Sequence, residues 1–342
     1  MESAEFVRRG VVGILLGALV ACGGGGGAAP AGGGALPPDP SPPAPPIAGT
    51  LPDLGPNADL RGTRPFASTD PWNTVVDAAP VDPNSDILIA SIGVAKGVHP
   101  DFGANWNGGP FGIPYVVVPG SQARVPMSFQ YADESDAGPY PVPPDAPIEG
   151  GPTSSGDRHI LVIDRDAWKL YETWSTYPAT TGLGFDAGSG AVFDLATNTH
   201  RPAGFTSADA AGLPIFPGLV RYDEVVLRGT IPHALRFTVQ RSRRGYVAPA
   251  THFASAYTGA DRPPMGMRVR LKGAYDLSTF PASARVVLQA LKTYGMFVAD
   301  NGGDWFLSGA PDARWNDDEL NALKSVPGSA FEVLRMGPVT TN

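Results

Sequence analysis

Short stretches in which apolar and polar positions alternate recur along the chain after residue 58, and turn residues separate them. The clearest pair is residues 159–164 (HILVID) and 169–174 (KLYETW), which a turn at Arg165 and Asp166 joins. Successive side chains of a strand point to opposite faces of its sheet. We therefore predict a β-hairpin whose second strand carries one carboxylate, Glu172.

The same alternation assigns the faces of this hairpin. His159, Leu161 and Ile163 share one face of the first strand, and Leu170 shares a face of the second strand with Glu172. A carboxylate among apolar and aromatic neighbours is either a solvated edge residue or a functional group. Both alternatives stay open at this point.

Further runs that are rich in β-branched and aromatic residues predict more strands. They occupy residues 110–118, 125–131, 221–225, 231–239, 246–250, 267–271, 296–299, 305–307 and 331–334. We expect residues 110–118 to pair with 125–131 as a hairpin, and 296–299 to pair with 305–307. Pro126 cannot donate to a ladder, so one strand of the first hairpin should be an edge strand.

Two of these runs carry charged or titratable residues. A strand at residues 221–225 (RYDEV) would turn Asp223 and Glu224 to opposite faces, so at most one of them looks into a cleft. In residues 231–239 the alternation places His233 among apolar side chains.

Helical spacing is rarer than strand-like alternation in this chain. Residues 283–294 (SARVVLQALKTY) repeat apolar positions at intervals of three and four, and Gly295 follows them. Residues 86–94 predict a short helix, and Asn316 precedes a third that begins with acidic residues.

These elements predict a mostly-β fold. Glycine (43 residues) and proline (37 residues) are abundant, which is typical of many short strands joined by turns. We expect a β-sandwich with one or two short packing helices, and a jelly roll is one candidate topology. The alternative is an α+β domain in which the helix at 283–294 packs across one sheet.

The N-terminal region predicts export and lipid anchoring. Residues 1–21 contain Arg8 and Arg9 and then a short apolar run, which is the pattern of a secretory signal peptide. Leu19-Val20-Ala21-Cys22 resembles a bacterial lipobox, and this resemblance implies cleavage before Cys22 and lipidation of that residue. Residues 22–57 are rich in glycine and proline and predict a disordered tether.

The expected organisation is therefore a lipid-anchored tether followed by one globular domain at residues 58–342. Such a protein lies in the cell envelope, at the outer membrane or the cell surface, and we expect a monomer. Cys22 is the only cysteine of the chain, so lipidation leaves no thiol for a disulfide or for nucleophilic catalysis.

Charge excludes some partners and leaves metal binding open. The net charge of −8 gives no basic face for nucleic acid. We interpret the small basic group at residues 241–244 as the solvated tip of a hairpin. Asp133, Glu134 and Asp136 lie close together in a long loop at residues 132–157, where calcium is a candidate ligand. The histidines are scattered without a zinc-binding spacing, so we expect no zinc site.

Two longer segments resemble a group of secreted bacterial proteins to which no activity is assigned. The first contains TSADAAGLPIFPGLVRYDEV and, five residues later, IPHALRFTV, and the second is YGMFVADNGGDWFLSGAPDARW. The resemblance covers most of residues 65–335. It implies one globular domain in an extracytoplasmic protein, and it implies no catalytic residue.

The first functional hypothesis is a carbohydrate-active enzyme, either a glycoside hydrolase or a polysaccharide lyase. A glycosidase needs two carboxylates beside the scissile bond, one protonated and one ionised. A lyase needs a base with a pKa near neutrality. The candidate catalytic residues are Glu172, Glu224, Asp209, His159 and His233, with Asp194 and Asp300 as further carboxylates.

The second hypothesis is a non-catalytic surface protein that binds a glycan or a protein. Aromatic side chains would stack on sugar rings in either case, although most tryptophans fill cores. The candidate substrate-binding residues are Trp168, Trp174, Arg236, His252, Tyr257 and Trp305. Paired carboxylates or a His/Tyr/Arg group in one cleft would favour the enzyme, and their absence from a binding surface would favour the binding protein.

Overall fold

The computed structural model of the chain describes residues 51–180 and 182–341. The predictions for the signal peptide, Cys22 and most of the tether lie outside these residues. Gly55 and Pro56, which the sequence assigns to the tether, pair with Val117 and Val116 of the folded part. Among the described residues, no helix has the length and apolar character needed to cross a membrane.

Strands dominate the described part of the chain. The first eight are β1 (Gly55–Pro56), β2 (His99–Asp101), β3 (Gly103–Trp106), β4 (Gly109–Phe111), β5 (Tyr115–Val118), β6 (Met127–Phe129), β7 (Ile160–Asp164) and β8 (Lys169–Trp174). The next eight are β9 (Tyr177–Pro178), β10 (Phe185–Ala187), β11 (Ser189–Asp194), β12 (Leu235–Val239), β13 (Arg268–Leu271), β14 (Met296–Asn301), β15 (Phe306–Ser308) and β16 (Phe331–Val333).

The same part of the chain contains few helices, and they are short. The α-helices are α1 (Ser85–Ile92), α2 (Ala282–Thr293) and α3 (Asp317–Asn321), and a π-helix covers Asp223–Arg228. The sequence predicted all three α-helices close to these bounds. The Asn316 side chain caps α3 by accepting from the backbone N–H groups of Asp318 and Glu319, as the acidic start of that helix indicated.

Two larger sheets form the body of the fold. The first has the strand order β1-β5-β7-β8-β11, and the second has the order β16-β13-β14-β12-β15-β2. Leu161 and Ile163 of the first sheet belong to the same apolar core as Leu235 and Phe237 of the second. The two sheets therefore pack on one core, and the predicted mostly-β fold is confirmed.

A smaller sheet covers the outer face of the first sheet. It has the order β6-β10-β9, and Phe129 and Phe185 from it pack on Ile160, Val162 and Tyr171. Several neighbouring strands are parallel, among them β5 with β7 and β12 with β14. These parallel pairs distinguish the sheets from an antiparallel jelly roll.

The hairpin predicted at residues 159–174 is confirmed with its faces. β7 and β8 pair antiparallel, with Leu161 opposite Glu172. Leu161 and Leu170 contact the core between the large sheets, whereas Ile160 and Val162 contact the outer core. Glu172 shares the face of Leu170, so its carboxylate points into the core between the sheets.

Both other predicted hairpins were wrong because the sheets insert distant strands between neighbours in sequence. β5 has β1 and β7 on its two edges, so no edge is left for residues 125–131. β6 pairs parallel with β10 instead and lies at a sheet edge, as Pro126 indicated. β12 lies between β14 and β15, and it therefore separates the two predicted partners.

Three local predictions in the second half also differ from the structure. Residues 221–225 lead into the π-helix rather than forming a strand, and Gly229 ends it with φ 67°. Residues 246–250 contain only a bridge position at Tyr246, which pairs with Met265 and Thr340. The basic residues at 241–244 follow β12 in a segment without regular structure, so they are not a hairpin tip.

Candidate functional site

Four predicted site residues converge between the two large sheets. We call His159, Glu172, Asp209 and Arg236 the central cluster. The guanidinium of Arg236 donates to both carboxylate oxygens of Asp209, at 3.2 and 2.9 Å, and to Ser308 Oγ at 2.5 Å. Asp209 is 2% exposed and Arg236 is 3% exposed. This bidentate pair fastens the segment around Asp209 to β12 inside the core.

Glu172 of the central cluster fastens a second part of the same segment. Its carboxylate accepts from the backbone N–H of Ile215, at 2.9 and 3.0 Å, and from that of Phe216 at 2.8 Å. Burial disfavours the ionised carboxylate more than these bonds favour it, and the pKa of Glu172 is raised to about 7. A carboxylate with this pKa suits acid–base catalysis, but Glu172 is completely buried.

His159 is held at both ring nitrogens. Nε2 lies 3.0 Å from the carbonyl oxygen of Ala208, and Nδ1 lies 2.7 Å from Glu149 Oε2. Burial lowers the pKa of His159, but the charge of Glu149 and its hydrogen bond outweigh burial and raise it to about 9. The ring therefore links the loop before β7 to the segment that carries Asp209.

A second buried group surrounds the π-helix. We call Arg221, Asp223, Glu224 and His233 the π-helix cluster. Arg221 Nη2 donates to Glu224 Oε1 at 2.5 Å, and His233 Nε2 lies 3.0 Å from Glu224 Oε2. Asp223 Oδ1 lies 3.5 Å from Arg221 Nε, so Asp223 and Glu224 both approach the same guanidinium. This is possible because neighbouring residues of a helix, unlike those of a strand, do not point to opposite sides. The predicted opposition of Asp223 and Glu224 is therefore wrong.

Hydrogen bonding in the π-helix cluster is incomplete. Arg221 Nε and Nη1 and Asp223 Oδ1 are buried without a hydrogen-bond partner in the described residues. Asp223 Oδ2 accepts from the N–H of Leu60 at 3.2 Å. Burial is the largest cause that raises the pKa of Asp223 to about 6, although the Arg221 charge opposes it.

The five predicted catalytic residues thus fall into two separate buried clusters. Glu172, Asp209 and His159 lie in the central cluster, and Glu224 and His233 lie in the π-helix cluster. Each is at most 5% exposed. Their arrangement stabilises the packing of loops on sheets and presents little surface to a polymer.

The predicted substrate-binding residues do not form one surface. Trp305 is completely buried and stacks between Phe237 and Phe331, with ring centroids 5.5 and 5.0 Å away. Trp168 and Trp174 are half-buried and pack against the main core.

The remaining two predicted substrate-binding residues lie elsewhere. The half-buried ring of His252 is parallel to that of Phe253. Tyr257 is 37% exposed and donates to Asp261. Arg236, discussed above, is buried with Asp209, so these side chains provide no shared aromatic platform.

A groove with a volume of about 450 Å³ lies at the end of β11. Its lining contains charged groups of both signs, two hydroxyl groups and one histidine, namely Asp136, Lys169, Asp194, Arg201, Thr197, Thr199 and His200. Lys169 of β8 is directly opposite Asp194 of β11 in the strand register. The sequence singled out two members of this set, Asp194 as a further candidate carboxylate and Asp136 as a candidate calcium ligand.

One wall of the groove is a histidine next to a buried carboxylate. Asp70 is completely buried, and its Oδ2 lies 3.2 Å from His200 Nε2. The angles at this contact do not form a hydrogen bond, so both ring nitrogens of His200 and this oxygen lack a partner in the described residues. The two residues are 130 positions apart, and no spacing rule connects them in the sequence.

Another wall is braced by Arg201. Its guanidinium donates to Asp136 Oδ2 at 2.5 Å and to the carbonyl oxygen of Glu134 at 2.6 Å. Asp136 also accepts from the N–H of Val192 on β11 at 2.8 Å, and Glu134 Oε2 accepts from the N–H of Thr206 at 3.2 Å. These contacts engage two of the three loop carboxylates that the sequence suggested as calcium ligands.

A different group of side chains could hold a metal ion. Glu149, Asp157 and His159 place one ligand atom each within 4.8 Å of the others. His159 is buried, and the two carboxylates are half-buried. No other such group occurs in the parts of the chain that the structure describes.

No family model, no curated protein and no solved structure matches this chain.

Proposed function

We propose that this protein is a non-catalytic binding protein of the cell envelope and that it takes a charged saccharide into the groove at the end of β11. The groove itself carries the proposal. Its volume of about 450 Å³ falls within the range of about 300–1,000 Å³ that is usual for small-ligand sites.

The chemistry of the groove suits an acidic sugar. Lys169 supplies an ammonium group for a sugar carboxylate or sulfate, since charge-assisted hydrogen bonds are the stronger ones. Asp194, Thr197 and Thr199 supply acceptors and hydroxyl donors for sugar hydroxyl groups. Arg201 already donates to Asp136, so we assign it to holding the groove wall in place and not to binding the ligand.

A binding role is favoured over hydrolysis by the placement of the carboxylates. A glycosidase places two carboxyl groups about 5–9.5 Å apart on either side of the bond that it cleaves. Glu172 accepts backbone N–H groups in the core, Asp209 pairs with Arg236, and Glu224 pairs with Arg221. In the groove, Asp136 is paired with Arg201. A ligand would therefore meet one carboxylate, Asp194, and not the two that hydrolysis needs.

The proposal includes the location that the sequence predicts. A lipid on Cys22 would anchor the protein in the envelope, and the tether would hold the groove away from the membrane, where a polysaccharide is within reach. We expect the protein to act as a monomer.

Calcium stays a prediction and is not required for this binding. Two of the three suggested loop carboxylates are engaged by Arg201 and Thr206. Adding Ca²⁺ during the binding experiment tests whether it nevertheless contributes.

The test is affinity electrophoresis of the full-length protein in gels that contain neutral or acidic polysaccharides. We expect retardation by at least one acidic polymer, weakened about tenfold in Lys169→Met, which corresponds to about 1.4 kcal/mol. Lys324→Met is the matched control, because Lys324 is exposed and lies outside the groove lining. Equal binding by both variants, or no retardation by any polymer, would contradict the proposal.

A second candidate function is a polysaccharide lyase, and the Asp70–His200 contact is the observation that favours it. In this reaction a base removes the proton beside the sugar carboxylate. The electron pair forms a carbon–carbon double bond, and the bond to the leaving sugar oxygen breaks as that oxygen gains a proton. Both ring nitrogens of His200 are buried, so the ring would first have to turn toward the groove.

The lyase is tested by absorbance of unsaturated products during incubation with the same polymers. Product that disappears in His200→Gln while binding persists would establish the lyase and displace the non-catalytic proposal. Binding without product would exclude the lyase for those polymers.

A further inference from the structure

The loop that leads into β7 brings three metal-ligating groups to one point. His159 immediately precedes β7, Asp157 lies two residues earlier, and Glu149 is ten residues before His159. The backbone N–H of Glu149 donates to the carbonyl oxygen of His159 at 3.0 Å. The two ends of the loop are therefore adjacent, and their side chains face one another.

The structure assigns this group, Glu149, Asp157 and His159, as a binding site for one divalent transition-metal ion of the zinc type. The site is separate from the groove and does not depend on the proposed saccharide binding. We call it the loop metal site.

The orientation of His159 supports this assignment. Its Nε2 lies 3.0 Å from the carbonyl oxygen of Ala208, and because a carbonyl oxygen only accepts, Nε2 carries the proton and donates to it. The other nitrogen, Nδ1, then faces Glu149 Oε2 at 2.7 Å. A ligating histidine in proteins usually donates its second N–H to a carbonyl or carboxylate, which fixes the ring and the tautomer. Ala208 provides such a partner outside the three ligands.

The loop that carries the carboxylates is fixed in place by Arg158. This residue is 2% exposed, and its guanidinium donates to the carbonyl oxygens of Thr176, Pro152 and Ser154, each at 2.9 Å. Trp174 Nε1 lies 3.3 Å from Asp157 Oδ1 and orients that carboxylate. The backbone that carries the carboxylates is thus held in place, and small side-chain movements would bring the three ligand atoms, now within 4.8 Å of one another, onto one ion.

The ligand set selects the ion. Calcium takes six to eight oxygen ligands, as a rule, so an imidazole nitrogen does not suit it. One nitrogen and two carboxylate oxygens suit Zn²⁺, at bond lengths of about 2.0–2.2 Å, and water would complete the coordination. Zn²⁺ would replace the proton that His159 Nδ1 and Glu149 Oε2 share across 2.7 Å, and that proton would pass to solvent. The two atoms would separate to about 3.3 Å, as tetrahedral coordination at these bond lengths requires. This result would overturn the expectation from sequence that there is no zinc site.

The experiment uses the full-length protein, freed of metal by a chelator and titrated with ZnCl₂ in a calorimeter. We expect one Zn²⁺ per chain, with binding weakened at least tenfold in Asp157→Asn. Asp145→Asn is the matched control, because Asp145 is an exposed carboxylate of the same loop outside the site. Circular dichroism of each variant shows whether it is folded.

A second measurement keeps the test decisive if Asp157→Asn does not fold. Imidazole nitrogen NMR of the wild-type protein reports on its five histidines, and we expect the signal of one ring to change on addition of Zn²⁺, identified by its loss in His159→Gln. Absence of saturable Zn²⁺ binding would overturn the site and leave His159 and Glu149 as an ion pair. Saturation by Ca²⁺ but not Zn²⁺, or equal Zn²⁺ binding in Asp157→Asn and Asp145→Asn, would also overturn it.

Discussion

The central cluster and the groove contain the same kinds of side chain in opposite surroundings. In the central cluster, Glu172 and Asp209 are almost completely buried, and their carboxyl oxygens face N–H donors. In the groove, Lys169 and Asp194 are half-buried and line an open volume. The comparison shows that Glu172 and Asp209 are held inside the core by N–H donors, whereas Lys169 and Asp194 border an open volume, where we propose that the ligand binds.

This difference has an energetic cause. Transfer of a charge into a protein core costs several kcal/mol unless an opposite charge and hydrogen bonds compensate for it. Arg236 meets this need for Asp209 with two hydrogen bonds. Removing one member of a buried pair should therefore affect stability strongly, whereas changing a groove residue should affect binding.

The largest effect is expected for Arg236→Met. Asp209 would remain in the core without its partner, and the free energy of unfolding should fall by about 3–5 kcal/mol. Urea denaturation measures this change. The double variant Arg236→Met/Asp209→Asn removes both charges and should recover part of the loss. A single variant as stable as the wild type would contradict the structural role of the cluster.

Glu172 should make stability depend on pH. Its pKa is raised from 4.5 to about 7 in the folded protein, so the folded state binds more protons between these values. Stability should therefore fall as the pH rises from 4.5 to 7, by on the order of 3 kcal/mol from this group. Glu172→Gln keeps an acceptor for Ile215 and Phe216 but cannot ionise.

Urea denaturation at pH 5 and pH 7.5 measures that contribution. Asp223, whose pKa is raised to about 6, contributes to the slope in both proteins, so the difference between them isolates Glu172. Identical slopes for the wild type and Glu172→Gln would show that Glu172 does not titrate in this window.

A smaller loss is expected in the π-helix cluster. Glu224→Gln removes the charge that Arg221 contacts at 2.5 Å, and a hydrogen bond to a charged group contributes about 1.5–3 kcal/mol. Asp312→Asn is the control, because its ion pair with the exposed Arg314 should contribute at most about 1 kcal/mol. Denaturation curves in which the two variants lose the same stability would remove the distinction between buried and exposed pairs.

The smallest effect on stability is expected in the groove. Lys169→Met should change the free energy of unfolding by about 0.5 kcal/mol or less, as is usual for substitutions outside the core. The same variant should bind an acidic polysaccharide about tenfold more weakly. A large loss of stability without a change in binding would place Lys169 with the structural residues.

The sequence predicted those features that depend on neighbouring residues. The β7–β8 hairpin and helix α2 follow from local alternation and local helical spacing, and both are present. Strand neighbours that come from distant segments, such as β12 between β14 and β15, are not encoded in any local pattern. The same limit explains both hairpins that were predicted wrongly.

The candidate site was harder to predict for the same reason. The sequence identified carboxylates beside apolar residues, and that pattern indicates burial as readily as it indicates catalysis. Asp70 and His200 approach each other across 130 residues, so the fold must be known before the pair is visible. Glu149 lies only ten residues before His159, but the signal for calcium in the same loop came from Asp133, Glu134 and Asp136 and did not point to Glu149.

We propose that the groove binds the ligand, whereas the central cluster stabilises the fold. This division of roles can be measured by calorimetry. The full-length wild type, Lys169→Met and Glu172→Gln are each titrated with an acidic polysaccharide that retards the protein. We expect Lys169→Met to bind about tenfold more weakly and Glu172→Gln to bind like the wild type. Normal binding by Lys169→Met together with lost binding by a folded Glu172→Gln would contradict it.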